Sequence, residues 1–159
     1  MWARFFDRAP TGHLGRAERL GLIAELYLLD RHLVGGAGGR AIDGWLGPES
    51  APHDFVIGST AIEAKCTTSQ QPIQLEISSA RQLDDDAFEK LYLFALCLAD
   101  GPTGAVSLPE LVSGIRQRVA VSHPESAARF EDLLIQSGYS DAHAGFYSDE
   151  RFSVKAAGF

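Results

Sequence analysis

The first regular pattern of apolar residues lies between residues 16 and 33. In RAERLGLIAELYLLDRHL, Leu20, Ile23, Leu26 and Tyr27 recur at near-helical spacing. This spacing predicts a helix that ends at the glycine run VGGAGG of residues 34–39. The following segment predicts a loop, with a short strand at 41–45 as an alternative, before the turn residues of GPESAP.

Residues 54–66 have the pattern of a β-hairpin. Two short apolar runs flank Gly58-Ser59, an acceptable two-residue loop with glycine at the first central position of a type II′ turn. The predicted cross-strand pairs are Ile57 with Thr60, Val56 with Ala61, Phe55 with Ile62, and Asp54 with Glu63. Alternation then places Phe55, Ile57, Ile62 and Ala64 on one apolar face, and Asp54, Glu63 and Lys65 on the other.

The rest of the chain predicts further strands and helices around this hairpin. IQLEI at 73–77 alternates as a strand does, and Ser78 or Ser79 can cap a short helix through ARQLDDD. The long apolar run at 88–99 favours a buried strand, with a helix as the alternative. Later segments predict a helix from the cap Ser107 to about residue 119, a helix at about 124–137, and a last strand in RFSVKA.

These elements predict an α/β fold in one domain spanning residues 1–159. Its mixed β-sheet is flanked by helices, in the order helix, three-stranded meander, helix and strand, with additional C-terminal helices. A length of 159 residues is ordinary for a single hydrophobic core.

The charged face of the hairpin raises a chemical question. Asp54 and Glu63 face each other across the two strands, where like charges are destabilising. Lys65, on the same face as Glu63, supplies part of the compensating positive charge. A divalent cation would supply the rest, since Mg²⁺ is typically held by one or two carboxylates together with water and substrate phosphate. The alternative is that Glu63 and Lys65 form an exposed pair on an edge strand.

The same residues resemble the signature of the PD-(D/E)XK, or restriction-endonuclease-like, nucleases. Asp54 followed by Glu63-Ala64-Lys65 is similar to that signature, although His53 stands where its name has proline. The segments GLIAELYLL, WLGPES, HDFVIGSTAIEAKCTTS and ISSARQLDD together resemble the PD-(D/E)XK proteins grouped as DUF4420. Genes for such proteins lie beside ATPase and helicase genes in bacterial restriction-like defence loci.

The resemblance implies roles for five residues. Asp54 and Glu63 would be ligands of Mg²⁺, for which Mn²⁺ can substitute, and Lys65 would be the catalytic lysine. Glu25 matches the first-helix position from which many such nucleases add an acidic residue near the metal; its alternative is a solvated helix charge. Gln82 matches a polar residue that some relatives bring to the site from the helix after the third strand; its alternative is a surface glutamine or a helix-terminal hydrogen bond. Hydrolysis of DNA would leave a 5′-phosphate by family analogy.

Composition bears on the partners of this site. The formal charge is −7, whereas a nucleic-acid-binding surface is normally basic. We therefore carry two functions forward, a Mg²⁺-dependent DNA nuclease and a catalytically silent subunit that docks proteins or DNA. Cleavage of RNA or of a nucleotide messenger is a third, minor alternative. By resemblance, the partners expected are DNA and the ATPase or helicase proteins of the same defence system; the sequence leaves a homodimer open.

The remaining sequence features are weaker guides. No apolar run approaches the roughly 20 residues needed to span a bilayer, and with Cys66 and Cys97 as buried reduced thiols a cytoplasmic protein is expected. His53-Asp54 could belong to an HD phosphohydrolase, but the other histidines lack the spacing of further ligands. Trp45 is expected to anchor the core, with a position beside a DNA groove as the alternative.

Overall fold

The structure is a computed structural model that describes residues 12–68, 88–101 and 105–159. Its first helix, α1 (Arg16–Leu28), begins where the backbone N–H of Gly15 donates to the Glu18 carboxylate at 2.7 Å. The helical path continues through a π-helical turn (Leu29–Leu33) and α2 (Val34–Ala37). The helical path therefore ends within the glycine run of residues 34–39, as predicted. The chain turns only at Gly38, whose φ of 61° is one that glycine adopts readily.

The segment after Gly38 corrects one expectation. Residues 41–45 do not form a strand, because a short helix, α3 (Gly39–Asp43), occupies most of them and buries Ala41 and Ile42. Trp45 then makes a single antiparallel bridge with Phe55, and a 3₁₀ turn (Gly47–Glu49) follows. This segment packs against the start of the hairpin instead of adding a full strand to the sheet.

The hairpin forms with three of its four predicted cross-strand pairs; the fourth, Asp54 with Glu63, lies outside the ladder because β1 begins at Phe55. Strands β1 (Phe55–Ile57) and β2 (Thr60–Thr67) are antiparallel, with Phe55 opposite Ile62, Val56 opposite Ala61 and Ile57 opposite Thr60. Gly58 has a φ of 62°, as the first central position of a type II′ turn requires. Phe55, Ile62 and Ala64 are buried in the core and Ile57 packs against it, which confirms the apolar face.

The sheet is mixed and four-stranded. Strand β3 (Lys90–Asp100) confirms the predicted buried strand and pairs with β2 in parallel, whereas β4 (Phe152–Gly158) pairs with β3 in the antiparallel direction. The order across the sheet is β1-β2-β3-β4. The strand predicted at 73–77, which is the third strand of the predicted meander, and the helix after it lie outside the described residues.

The C-terminal helices pack on α1 and on one another, and α1 in turn packs against β2 and β3. Helix α4 (Leu108–Ser122) begins as predicted at Ser107, whose backbone N–H donates to the Glu110 carboxylate at 3.1 Å. A 3₁₀ turn (Pro124–Ser126) leads into α5 (Ala127–Gln136), close to the predicted bounds. The sequence reading missed a 3₁₀ turn (Asp141–His143) and the short helix α6 (Ala144–Ser148), whose Tyr147 is buried.

An exposed glycine in α4 gives a test of the helical assignment. A Cβ added at Gly114 would meet no heavy atom within 4 Å, and the helix does not need glycine there. We expect Gly114→Ala to raise the free energy of unfolding by about 0.5–1 kcal/mol, because alanine lowers the backbone entropy lost on folding. Urea denaturation monitored by circular dichroism measures this. A destabilised variant would contradict the helix at this position.

Candidate metal and nuclease site

The candidate site lies where the two hairpin strands part. Strand β1 has three residues, so the edge of β2 beyond Ile62 extends past its pairing with β1. Asp54, one residue before β1, bridges this gap, because the Ala64 backbone N–H donates to its Oδ2 at 2.9 Å. The backbone N–H groups of Leu46 and Gly47 donate to the Asp54 carbonyl at 2.8 and 3.0 Å. Asp54 is thus held by both its side chain and its backbone.

Glu63 and Lys65 extend the site along β2. Glu63 is 4% exposed and Asp54 is 7% exposed, so two carboxylates are buried beside each other. The Lys65 ammonium lies 2.9 Å from Glu63 Oε1, and its side chain is itself largely buried. These exposures contradict the alternative of an exposed surface pair. The site therefore holds two buried carboxylates, with the Lys65 ammonium paired to one of them.

Glu25 approaches the same place from α1. Its Oε2 accepts a 2.7 Å hydrogen bond from Trp45 Nε1, which fixes the carboxylate and contradicts its reading as a solvated helix charge. A Cβ added at Gly47 would overlap Glu25 Oε2 and would lie 3.0 Å from Asp54 Oδ1. The two carboxylate oxygens therefore flank the same small space beside Gly47.

One open cleft joins these side chains. It has a volume of about 230 Å³ and is lined by Ala17, Leu20, Gly21, Glu25, Asp54, Glu63, Ala64, Lys65 and Cys66. The structure thus brings together Asp54, Glu63, Lys65 and Glu25. Gln82 lies outside the described residues. Burial raises the pKa of the Cys66 thiol to about 12, with a smaller contribution from Cys97, so Cys66 is neutral near pH 7.

The donor set fits a hard divalent cation with an incomplete protein shell. Within residues 12–68, 88–101 and 105–159, no three histidine, cysteine, aspartate or glutamate side chains converge as a complete ligand set. Mg²⁺ does not need one, because it keeps several waters and usually takes one or two carboxylates. The carboxylates of Asp54 and Glu25 lie on either side of the space beside Gly47, and Glu63 lines the same cleft. This arrangement provides the one or two carboxylates that Mg²⁺ usually takes.

The other residues considered as candidates pack against aromatic or imidazole rings and do not line this cleft. Trp45 is fully buried between Phe55 and Phe130, which confirms its role as a core anchor. His53 is buried, with its ring 5.3 Å from that of Phe88. His13 and His143 form a pair with ring centroids 6.1 Å apart. No metal-ligating cluster includes a histidine in the described part of the chain, so the HD reading gains no support.

Two residues of the site were missed by sequence reasoning. Trp45 had been assigned to the core, with a position beside a DNA groove as the alternative, and its Nε1–H contact with Glu25 had no signal in the sequence. Gly47 had been read only as a turn residue. The signal available in the sequence was the position of Gly47 before Pro48, in the short loop that runs from Trp45 to Asp54.

Comparison with known proteins agrees with this geometry. The model of a family described as "Putative PD-(D/E)XK family member, (DUF4420)" matches residues 1–159. The chain belongs to the DUF4420 family. The mixed four-stranded sheet with flanking helices confirms the predicted α/β, restriction-endonuclease-like fold. Searches of curated proteins and of solved structures found no match.

Membership in DUF4420 gives the site a general context. Proteins of the PD-(D/E)XK superfamily are generally nucleases and usually use divalent metal ions. None of the helices in the described ranges is long and apolar enough to cross a membrane.

Proposed function

We propose that this DUF4420 protein is a Mg²⁺-dependent nuclease that hydrolyses phosphodiester bonds in DNA, with Mn²⁺ able to replace Mg²⁺. The observation that carries the proposal is the convergence of Asp54, Glu63, Lys65 and Glu25 on one cleft where β1 and β2 part. The opposed carboxylates have a clear use there, since a phosphodiester and a carboxylate pair can share a cation between them.

In this proposal the metal would be held by Asp54 and Glu63, with Glu25 as the additional acidic residue. When bound, it would neutralise charge on the phosphate and lower the pKa of a water. The Lys65 ammonium, kept beside Glu63 at 2.9 Å, donates a hydrogen bond to the attacking water or to a phosphate oxygen, where negative charge develops. Water attacks phosphorus and gives up a proton to solvent, the bond to the 3′-oxygen breaks, and that oxygen takes a proton from solvent, so the products carry a 5′-phosphate and a 3′-hydroxyl.

Removal of the metal tests this function directly. We expect the purified protein to nick supercoiled plasmid or to cut single-stranded DNA in Mg²⁺ or Mn²⁺, and we expect excess EDTA to stop the reaction. Adding Mg²⁺ beyond the chelator should restore it, because the chain itself is unchanged. Gel electrophoresis of the products, with end-labelling to identify the 5′-phosphate, measures this. Cleavage that persists in EDTA would overturn the proposal.

One observation favours a second candidate, a catalytically silent nuclease-fold subunit that docks proteins or DNA. Most arginines of the described ranges are already engaged with carboxylates, namely Arg16, Arg19, Arg31, Arg116, Arg118, Arg129 and Arg151. Little of that positive charge is left to attract phosphate. Under this candidate, the ATPase or helicase proteins of a bacterial defence system would supply the basic surface.

Metal binding and substrate choice separate these candidates. A wild-type protein that binds Mg²⁺ in calorimetry and cuts DNA only when a partner is added would support a nuclease that borrows its basic surface. A protein that binds neither Mg²⁺ nor Mn²⁺ would support the silent subunit. Selective cleavage of RNA or of a cyclic nucleotide in parallel reactions would keep the metal site and change the substrate class.

A further inference from the structure

Gly47 occupies a position where any side chain would collide with the candidate site. Its hypothetical Cβ overlaps Glu25 Oε2 and lies 3.0 Å from Asp54 Oδ1. Gly47 is buried, and its own N–H helps to hold Asp54 by donating to the Asp54 carbonyl at 3.0 Å. Resting on the function proposed above, we propose that Gly47 is a positioning residue: its missing side chain allows Glu25 and Asp54 to reach one cation together.

The need for glycine here is spatial. Gly38, Gly58 and Gly138 have positive φ angles, which explain those glycines by backbone conformation alone. Gly47 instead begins a 3₁₀ turn, a conformation open to any L residue. Only the two carboxylates explain why a side chain is excluded at this position.

The contacts around Gly47 determine how a methyl group would act. The atom in its way is the end of the flexible Glu25 side chain, so the fold can accommodate alanine when that carboxylate swings away. The movement would break the 2.7 Å hydrogen bond from Trp45 Nε1. Asp54 cannot follow, because the N–H groups of Ala64 and Leu46 hold it. The substitution should therefore separate the two ligands while leaving the chain folded.

The experiment measures metal affinity independently of cleavage. Tb³⁺, an oxygen-preferring cation, can be excited through Trp45, whose Nε1 lies 2.7 Å from a Glu25 oxygen, and displaced by Mg²⁺. We expect Gly47→Ala to weaken Tb³⁺ binding by about tenfold or more, the usual loss when the support of metal ligands is disturbed. The Mg²⁺ concentration for half-maximal cleavage should rise in parallel. Gly114→Ala is the matched control and should keep wild-type affinity.

A second pair of variants keeps the test decisive if Gly47→Ala folds poorly. Removing the obstructing carboxylate first, by Glu25→Ala, should make the added Gly47→Ala substitution much less harmful to both the melting temperature and Tb³⁺ binding. Equal losses with and without Glu25 would overturn the inference. So would wild-type affinity in a folded Gly47→Ala protein.

These outcomes are distinct from failure of the proposed function. Tb³⁺ that binds wild type but is unaffected by Gly47→Ala overturns the positioning role and leaves the metal site in place. A wild-type protein that binds no Tb³⁺, Mg²⁺ or Mn²⁺ overturns the metal site and the positioning role together.

Discussion

Asp54→Asn is expected to reduce metal-dependent DNA cleavage by about a hundredfold or more while leaving the fold intact. The carboxamide keeps an oxygen that can accept the hydrogen bond from the Ala64 N–H, now 2.9 Å from Asp54 Oδ2. It loses the negative charge that a hard cation needs. Charge stabilisation by a bound metal is worth several kcal/mol, and each 1.36 kcal/mol is a factor of ten in rate.

Asp54→Ala separates the chemical role of this residue from its structural one. Alanine removes both the charge and the acceptor, so the buried Ala64 N–H is left without the Asp54 oxygen. Leaving a buried donor without its acceptor costs about 1–3 kcal/mol. We therefore expect Asp54→Ala to lose cleavage as Asp54→Asn does, and also to be less stable than Asp54→Asn by about that amount.

Three measurements on the same preparations decide this prediction: plasmid cleavage, Mg²⁺ calorimetry and urea denaturation. Asp132→Asn, an equal charge change at an exposed position of α5, is the control and should behave as wild type. Asp54→Asn with wild-type cleavage would remove Asp54 from the catalytic site. Loss of cleavage with unchanged Mg²⁺ affinity would make Asp54 important to the reaction without being a metal ligand.

The hairpin was predictable because local rules fix it. A two-residue Gly-Ser turn sets the register, and the register alone decides which side chains share a face. Phe55 opposite Ile62 follows from that count, and the place of Asp54 and Glu63 in one cleft agrees with the pairing that it predicts for them. The ion pair between Lys65 and Glu63 follows from their spacing of two along one strand. Sequence was sufficient for this half of the site.

The other half depends on contacts between distant segments, which periodicity does not encode. The glycine run was predicted to end the helix, but only the structure shows that the helical path continues through Val34, which packs in the core, before it ends at Gly38. That extension changes the course of the chain up to Trp45 and brings the 3₁₀ turn at Gly47 over Glu25 and Asp54. Resemblance assigned Glu25 to the site, but only the structure shows what fixes it.

The structure shows which carboxylates the positively charged side chains contact. The net value of −7 gave a general argument against nucleic-acid binding. The ion pairs show where much of the positive charge goes: Arg116 contacts both Glu131 and Asp141, and Arg16 contacts both Asp100 and Glu150. The Arg116 hydrogen bond also lowers the pKa of Asp141. These two arginines connect separate segments of the fold. Binding DNA through Arg16 or Arg116 would therefore break ion pairs that hold those segments together.

Trp45→Ala is expected to have the largest effect on stability, about 3–5 kcal/mol of unfolding free energy. Trp45 is 0% exposed, its ring stacks on Phe55 at a centroid distance of 6.5 Å, and it packs against Phe130 at 6.0 Å. Truncating such a residue removes its burial and leaves a cavity, and tryptophan-to-alanine changes in cores fall in this range. Urea denaturation measures the loss. Val121→Ala, at an 84% exposed position, should change stability by less than about 0.5 kcal/mol.

Trp45→Phe shows why this core residue also matters for the site. Phenylalanine keeps an aromatic ring between Phe55 and Phe130, so most of the packing should survive, but it has no Nε1–H to donate to Glu25. We expect Trp45→Phe to recover most of the stability lost in Trp45→Ala and still to weaken Mg²⁺ binding in calorimetry, because the Glu25 carboxylate is no longer fixed. Wild-type affinity in a stable Trp45→Phe protein would limit Trp45 to the core. Reduced affinity would mean that one side chain links the packing of the hairpin to the geometry of the metal site.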